Sequence, residues 1–151
     1  MENQKNIEAL NKLVVINNDR VEGYETASKE AQSQDLKSLF NQLQSTSERN
    51  IEELSREIVS LGGTPVESTK ITGKFFRAWM DVKAALTGND RHAILESCEF
   101  GEDEALKVYD KILENEDAGL TTQHLEMIRN QRSKIHADHD KIKALRDAKA
   151  A

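Results

Sequence analysis

The sequence has few residues that interrupt helices, with one proline and seven glycines among 151 residues. Proline and glycine are the residues that most destabilise a helix interior, so their scarcity favours a few long helices. The single cysteine, Cys98, excludes a disulfide bond within the chain. A chain of this length is expected to form one domain over residues 1–151.

The sequence also lacks any apolar run that approaches the ~20 residues of a membrane-spanning helix. Its start, MENQKNIEAL, is polar and lacks the basic and apolar regions of a signal peptide. We therefore expect a cytoplasmic protein that does not associate with membranes. The formal net charge is −6, and acidic and basic residues are interspersed along the chain. Binding of nucleic acid, which needs a clustered basic face, is therefore not expected.

What the sequence does contain is apolar residues at helical spacing in four long segments. This pattern predicts long helices over residues 3–32, 34–61, 90–117 and 121–148. Short links after the first and third of these helices make each pair antiparallel. The middle link is long enough to run the length of the helices, so that the second and third would be parallel. Its bulky apolar residues predict a short extra helix over residues 70–87, with Trp79 buried against the long helices.

Two antiparallel pairs joined by one long crossover form the ferritin-like topology. The chain resembles a bacterial family of ferritin-like four-helix bundles, distantly rubrerythrin-like, that is classed as a domain of unknown function. The segments that carry the resemblance are NNDRVEGYETA, ELSREIVSLGGTP, FFRAWMDVKAALTG, ESCEFGEDEALKVYDKIL and HADHDKIKALRD. It implies an all-α, ferritin-like four-helix bundle whose long crossover carries a short extra helix. It implies no established reaction.

A di-iron centre in such a bundle takes one Glu from each of two helices and a Glu-x-x-His pair from each of the others. On the third long helix, Glu102 lies on the predicted inward face and Glu99 at its edge. On the fourth, His139 lies on the inward face and His136 at its edge. The first two helices lack matching ligands. These four residues could therefore form only a partial site for iron or manganese.

The alternative interpretation is a buried hydrogen-bond network without a cofactor. Its members would be the inward-facing polar residues Asn17, Ser47, Asn50, Glu102, Arg132 and His139. A buried carboxylate must be paired or neutralised, so we expect Arg132 to pair with Glu102. His139 would then have mainly a hydrogen-bonding role.

The remaining reactive residue types give weaker signals. Cys98 lies on an apolar stripe among acidic residues and is predicted to be a core residue rather than a reactive thiol. His92 and His124 lie in first helical turns and are expected to be exposed. The sequence contains no Gly-rich phosphate loop, no Ser-His-Asp set and no zinc-knuckle spacing, so no catalytic residue is assigned.

Three functions fit these patterns. The leading hypothesis is a non-catalytic bundle that acts through contacts with an unidentified protein. The second is a metal-binding protein that uses the partial site for storage or oxidoreduction. The third is a structural homo-oligomer, with a homodimer as the simplest form, because ferritin-like bundles often pair along their helices.

Overall fold

The computed structural model describes residues 2–67 and 73–148. Its elements are α1 (Glu2–Glu30), α2 (Gln34–Ser60), α3 (Gly73–Thr87), α4 (Arg91–Glu114) and α5 (Thr122–Asp147), with a 3-10 turn at Glu116–Ala118. Every regular element in these two stretches is helical, which confirms the all-α class. The predicted helices agree with the observed ones to within a few residues, and the predicted start of the crossover helix at residues 70–72 lies outside the described residues.

Local capping groups set the starts of the last two long helices. The Asp90 carboxylate accepts a hydrogen bond from the Ala93 N–H, as expected at the N-cap of α4. Thr121 caps α5, because its hydroxyl accepts from the His124 N–H while the His124 ring accepts from the Thr121 N–H. Between them, Gly119 has a φ of +67°, which favours glycine and allows the chain to turn.

Contacts at both ends of the helices give their directions. Tyr24 near the end of α1 stacks on Phe40 near the start of α2, and Asn3 at the other end reaches the Leu61 carbonyl. These two helices are therefore antiparallel. Arg91 donates hydrogen bonds of 3.1 and 2.6 Å to the Asp35 carboxylate, which brings the starts of α4 and α2 together.

The remaining directions follow from polar contacts between α4 and its neighbours. Asn17 and Arg20 of α1 contact Tyr109 and Glu102 of α4 in reverse order along the chain. Thus α4 is antiparallel to α1 and runs in the same direction as α2, which is the direction that the long middle link predicts. Tyr109 and Asp110 contact the first half of α5 while Glu99 contacts its end, so α4 and α5 are antiparallel.

Asparagine side chains of α1 hold the start of the crossover in place. Asn11 donates to the Thr64 carbonyl at 3.2 Å and accepts from the Val66 N–H at 3.0 Å. Asn18 donates to the Val66 carbonyl at 3.2 Å. Because an extended backbone must satisfy its polar groups elsewhere, these amides replace the hydrogen bonds that a helix would supply. The crossover therefore begins along α1, from the start of that helix towards its middle.

Trp79 of α3 packs against the second half of α1. It is only 9% exposed, which confirms its predicted burial, and its ring meets Tyr24 edge to face with the centroids 5.3 Å apart. A Cβ atom built on Gly23 would lie 1.7 Å from Trp79 Cζ2. The absence of a side chain at Gly23 therefore lets the indole approach the α1 backbone.

One continuous apolar core lies between the four long helices and extends to α3. Its most deeply buried members include Leu10, Leu13, Phe40, Leu43, Leu54, Ile58, Ile94, Ile128, Ile135 and Ile142. Of the helices in the described part of the chain, none is both long and apolar enough to cross a membrane.

Candidate functional site

The centre of the molecule contains a fully buried arginine. The Arg20 guanidinium donates from Nε to Glu102 Oε2 at 2.8 Å and from Nη2 to Glu102 Oε1 at 2.5 Å. The side chains of both residues are at most 1% exposed. Two parallel charge-assisted hydrogen bonds are the strongest way to pair a guanidinium with a carboxylate. Both oxygens of Glu102 are thus engaged by Arg20.

Two further helices contact the same guanidinium. Arg20 Nη1 donates to Ser47 Oγ of α2 at 2.5 Å, and Nη2 lies 3.4 Å from Asp138 Oδ2 of α5. The Asp138 side chain is 6% exposed. Each of the four long helices therefore contributes one side chain to this contact, which we call the Arg20 centre: Arg20, Ser47, Glu102 and Asp138.

Electrostatics keep the arginine charged. Burial opposes a charge on Arg20, but Glu102 and Asp138 hold its pKa above the ordinary value. The Tyr24 ring lies beneath the guanidinium, 5.5 Å from Cζ to the ring centroid, and adds a cation–π contact. Burial raises the pKa of Asp138, while Arg20 acts in the opposite direction. The Asp138 carboxylate therefore takes up a proton at a higher pH than an ordinary aspartate does.

A chain of hydrogen bonds leads from the Arg20 centre to the surface. Ser47 Oγ donates to Asn17 Oδ1, Asn17 Nδ2 donates to the Tyr109 hydroxyl, and Tyr109 donates to Gln131 Oε1, each over 2.8 Å. Gln131 Nε2 then donates to Glu53 Oε1 at 3.1 Å. Every donor in this chain points away from Arg20. Hydrogen bonds aligned in this way polarise and strengthen one another.

The structure places the network residues predicted on α1, α2 and α4 in the core. These are Asn17, Ser47, Asn50 and Glu102, each with no exposed surface. Asn50 joins the chain of hydrogen bonds by donating to Asn17 Oδ1 at 3.1 Å. Sequence reasoning missed Arg20, Asp138, Gln131 and Tyr109. All four are spaced at helical intervals from other inward-facing residues, and this spacing is the sequence pattern that could have identified them.

The predicted pairing of Arg132 with Glu102 was wrong. Arg132 pairs instead with Asp110 at the surface, with 2.5 Å between Nε and Oδ1, and its side chain is 33% exposed. His139 also lies outside the core network. After the first turn of α5, its core positions are Ile128, Gln131, Ile135, Asp138 and Ile142. Arg132 and His139 each lie one residue beyond a core position, and a step of three or four residues fits a helical stripe equally well.

His139 lies in a second group of side chains, between α4 and α5. Its Nε2 is 2.9 Å from Asp103 Oδ1 and 3.6 Å from Glu99 Oε2, and its Nδ1 is 3.2 Å from Asp140 Oδ1. Glu99, Asp103 and His139 each offer a ligand atom, and these atoms lie within 4.8 Å of one another. We call these three residues the His139 cluster. It lies beside the core network and shares no residue with it.

The predicted metal ligands are thus only partly brought together. Glu99 and His139 are neighbours, whereas the Glu102 carboxylate faces the core and is bonded to Arg20. His136 has a half-exposed side chain, with Nδ1 3.3 Å from Asp140 Oδ2, and its ring stacks on that of His139. Asp103 was missed, although it lies one helical turn after Glu99 and so on the same face of α4.

The predictions for the other histidines and the cysteine were correct at two positions and wrong at one. Cys98 is buried, as predicted, and burial raises the pKa of its thiol, which makes it unreactive. His92 is exposed, as predicted. His124 is only 4% exposed, so the prediction that it is exposed was wrong. Its ring turns inward because Nδ1 accepts from the Thr121 N–H while Nε2 contacts Glu57 Oε1 at 2.9 Å.

Asp19 on α1 is a buried carboxylate that the sequence pattern did not reveal. It is 2% exposed, and within the described residues no group donates a hydrogen bond to its Oδ1 atom. Burial, together with the nearby Glu22, raises its pKa to about 7. Asp19 therefore titrates near neutral pH.

These features define an all-α protein whose four long helices are joined by a buried arginine–carboxylate network. Residues 5–115 match a family described as Domain of unknown function (DUF2383). The match covers well over half of the chain, and the protein belongs to this family. The matched residues include Arg20, Ser47 and Glu102. No match to a curated protein was found.

Proposed function

We propose that this protein is a non-catalytic, ferritin-like helical bundle in which a buried arginine takes the central place that a metal pair takes in di-iron bundles. The observation that carries this proposal is the two-point pairing of Arg20 with Glu102 in the core. A di-iron centre needs carboxylates from all four helices and imidazoles from two of them. Here the guanidinium of Arg20 contacts two carboxylates, those of Glu102 on α4 and Asp138 on α5.

The charges support the same proposal. Metal ions in a di-iron site balance the charge of the surrounding carboxylates, and here one fixed cation serves that purpose. Both carboxylate oxygens of Glu102 accept hydrogen bonds from Arg20. A metal ion that bound Glu102 would therefore have to displace the guanidinium, whose pKa is raised. Breaking a buried ion pair from one side is costly. The interior is therefore suited to holding the helices together rather than to redox chemistry.

A protein of this kind would act through its outer surface. The Arg20 centre and its hydrogen-bond chain fix the helices in one register, since each bond joins residues of different helices. A rigid set of helices presents its exposed faces in a constant arrangement. We propose that this protein acts by binding a partner protein through these faces.

Oxidation of Fe²⁺ by dioxygen tests this proposal directly. The parent protein should oxidise Fe²⁺ no faster than buffer alone, and Glu102→Gln should leave that rate unchanged. Glu96→Gln serves as the matched control, because it removes an exposed carboxylate of the same helix that belongs to neither the Arg20 centre nor the His139 cluster. A rate above that of buffer that is lost in Glu102→Gln and retained in Glu96→Gln would overturn the proposal.

A further inference from the structure

The His139 cluster has the composition of a metal site. Glu99 and Asp103 lie one turn apart on α4, and His139 faces them from α5. Two carboxylates and one imidazole suit first-row divalent cations, since the nitrogen ligand disfavours Mg²⁺ and Ca²⁺. All three side chains come from long helices, which hold ligands more precisely than loops do.

The orientation of His139 favours coordination through one particular nitrogen. Asp140 Oδ1 lies 3.2 Å from Nδ1 and can accept a proton from it. A carboxylate on one ring nitrogen of a metal-binding histidine fixes the ring and leaves the other nitrogen free to coordinate. Nε2 is the atom that faces Asp103 and Glu99. The ring is thus held as in a carboxylate–histidine–metal arrangement.

The charge around the His139 cluster and its access to solvent also suit a bound cation. Three carboxylates, from Glu99, Asp103 and Asp140, surround the ring, whereas one guanidinium, from Arg146, bonds to Glu99 Oε1. Glu99 Oε2 still faces the imidazole. A groove of about 370 Å³ opens beside the cluster, lined in part by Asp103, His136 and His139. Lys107 and Arg132 also line it, and each is paired with a carboxylate outside the cluster. Water can therefore complete the coordination of a bound ion.

The geometry points to Glu99, Asp103 and His139 as a three-ligand site for a divalent cation of the Zn²⁺ type. Three protein ligands and a water molecule are the usual set for an open zinc site. Asp140 acts as the orienting partner of His139 and does not contact the ion. The site lies outside the Arg20 centre, so it does not depend on the function proposed above.

Calorimetric titration of Zn²⁺ into the untagged, metal-free chain tests this inference. We expect one equivalent to bind and the melting temperature to rise. Asp140→Asn, which removes only the orienting carboxylate, should weaken binding by roughly 10–100-fold, and Asp103→Asn and His139→Gln, which each remove a ligand, should weaken it at least as much. Asp103 is half exposed, so its variant should fold normally even if His139→Gln does not.

His92→Gln is the matched control. His92 is also a helical histidine with a carboxylate nearby, Glu96 at 3.8 Å, but among the residues that the structure describes no third ligand lies beside it. Its replacement should leave the affinity for Zn²⁺ unchanged. The inference is overturned if the parent binds no Zn²⁺, if Asp103→Asn binds it as tightly as the parent, or if His92→Gln weakens binding as much as Asp103→Asn.

Discussion

Arg20 is a charged residue whose whole side chain is buried, so its contribution to stability depends on its partners. Arg20→Gln would leave the Glu102 carboxylate buried without a cation, and we expect a loss of about 3–5 kcal/mol in the free energy of unfolding. Glu102→Gln should cost less, because its amide oxygen can still accept from the guanidinium. Urea denaturation of both variants measures these losses.

Arg132→Gln is the control for that experiment. Arg132 also pairs with an aspartate, but both side chains are at least one-third exposed. Exposed pairs contribute about 0–1 kcal/mol, so this variant should stay close to the parent. Equal losses in Arg20→Gln and Arg132→Gln would mean that the buried pair has no special importance for stability.

At the scale of single elements, α3 and α1 meet where Gly23 has no side chain. Glycine is a poor helix former, so a change to Ala in a helix normally gains about 1 kcal/mol. Gly23→Ala should instead destabilise the protein, because the new Cβ would lie 1.7 Å from Trp79 Cζ2 and the indole must move. Trp79 fluorescence should shift to longer wavelength and be quenched more readily by iodide.

Gly88→Ala provides the comparison for this change. A Cβ there would meet its nearest heavy atom at an ordinary 3.7 Å, so the fluorescence of Trp79 should not change. If Gly23→Ala stabilises the protein and leaves the fluorescence as it was, the close packing of Trp79 on α1 is wrong.

The helices themselves could be predicted because their signals are local. Asp90 and Thr121 cap the helices that follow them, and the apolar period marks the rest. The register of the polar residues on α5 could not be predicted in the same way. Ile128, Ile135 and Ile142 belong to both candidate stripes, and only the neighbouring helices select Gln131 and Asp138 for the core.

Arg20 was missed for a related reason. Its spacing suits an inward stripe, but a lone arginine in a sequence is more often exposed than buried. Its burial depends on Glu102, which is 82 residues away in the sequence. Helical spacing identified Glu99 and His139 as candidate ligands, but it placed His139 on the inward face of α5, whereas His139 lies one residue beyond a core position. Pairings over such distances are set by the packing of helices rather than by the residues nearby in sequence.

At the scale of the whole molecule, two buried carboxylates contribute to the dependence of stability on pH. The pKa values of both Asp19 and Asp138 are raised, and that of Asp19 reaches about 7 from an ordinary value of 3.8. At a pH between the unfolded and folded pKa values, a carboxyl group with a raised pKa is protonated in the folded state and ionised in the unfolded state. The stability that Asp19 contributes is therefore complete below pH 3.8 and declines as the pH rises to about 7.

Asp19→Asn should remove this decline. We expect the variant to gain stability relative to the parent between pH 4 and pH 8, by as much as ~4 kcal/mol, because one pKa unit corresponds to about 1.4 kcal/mol. Denaturation at several pH values gives the difference directly. Asp117→Asn, which removes an exposed aspartate, controls for the change in net charge. A difference between Asp19→Asn and the parent that is the same at every pH would show that Asp19 does not titrate in this range.

The hydrogen-bond chain from Arg20 to Glu53 also determines how the protons inside the molecule are ordered. In ice, each hydrogen bond can point in either of two directions, and the crystal keeps a residual disorder for that reason. Here an arginine, which can only donate, begins the chain, and a carboxylate, which accepts, ends it. Every hydroxyl and amide between them then has a single orientation, so the protons along this chain have one arrangement.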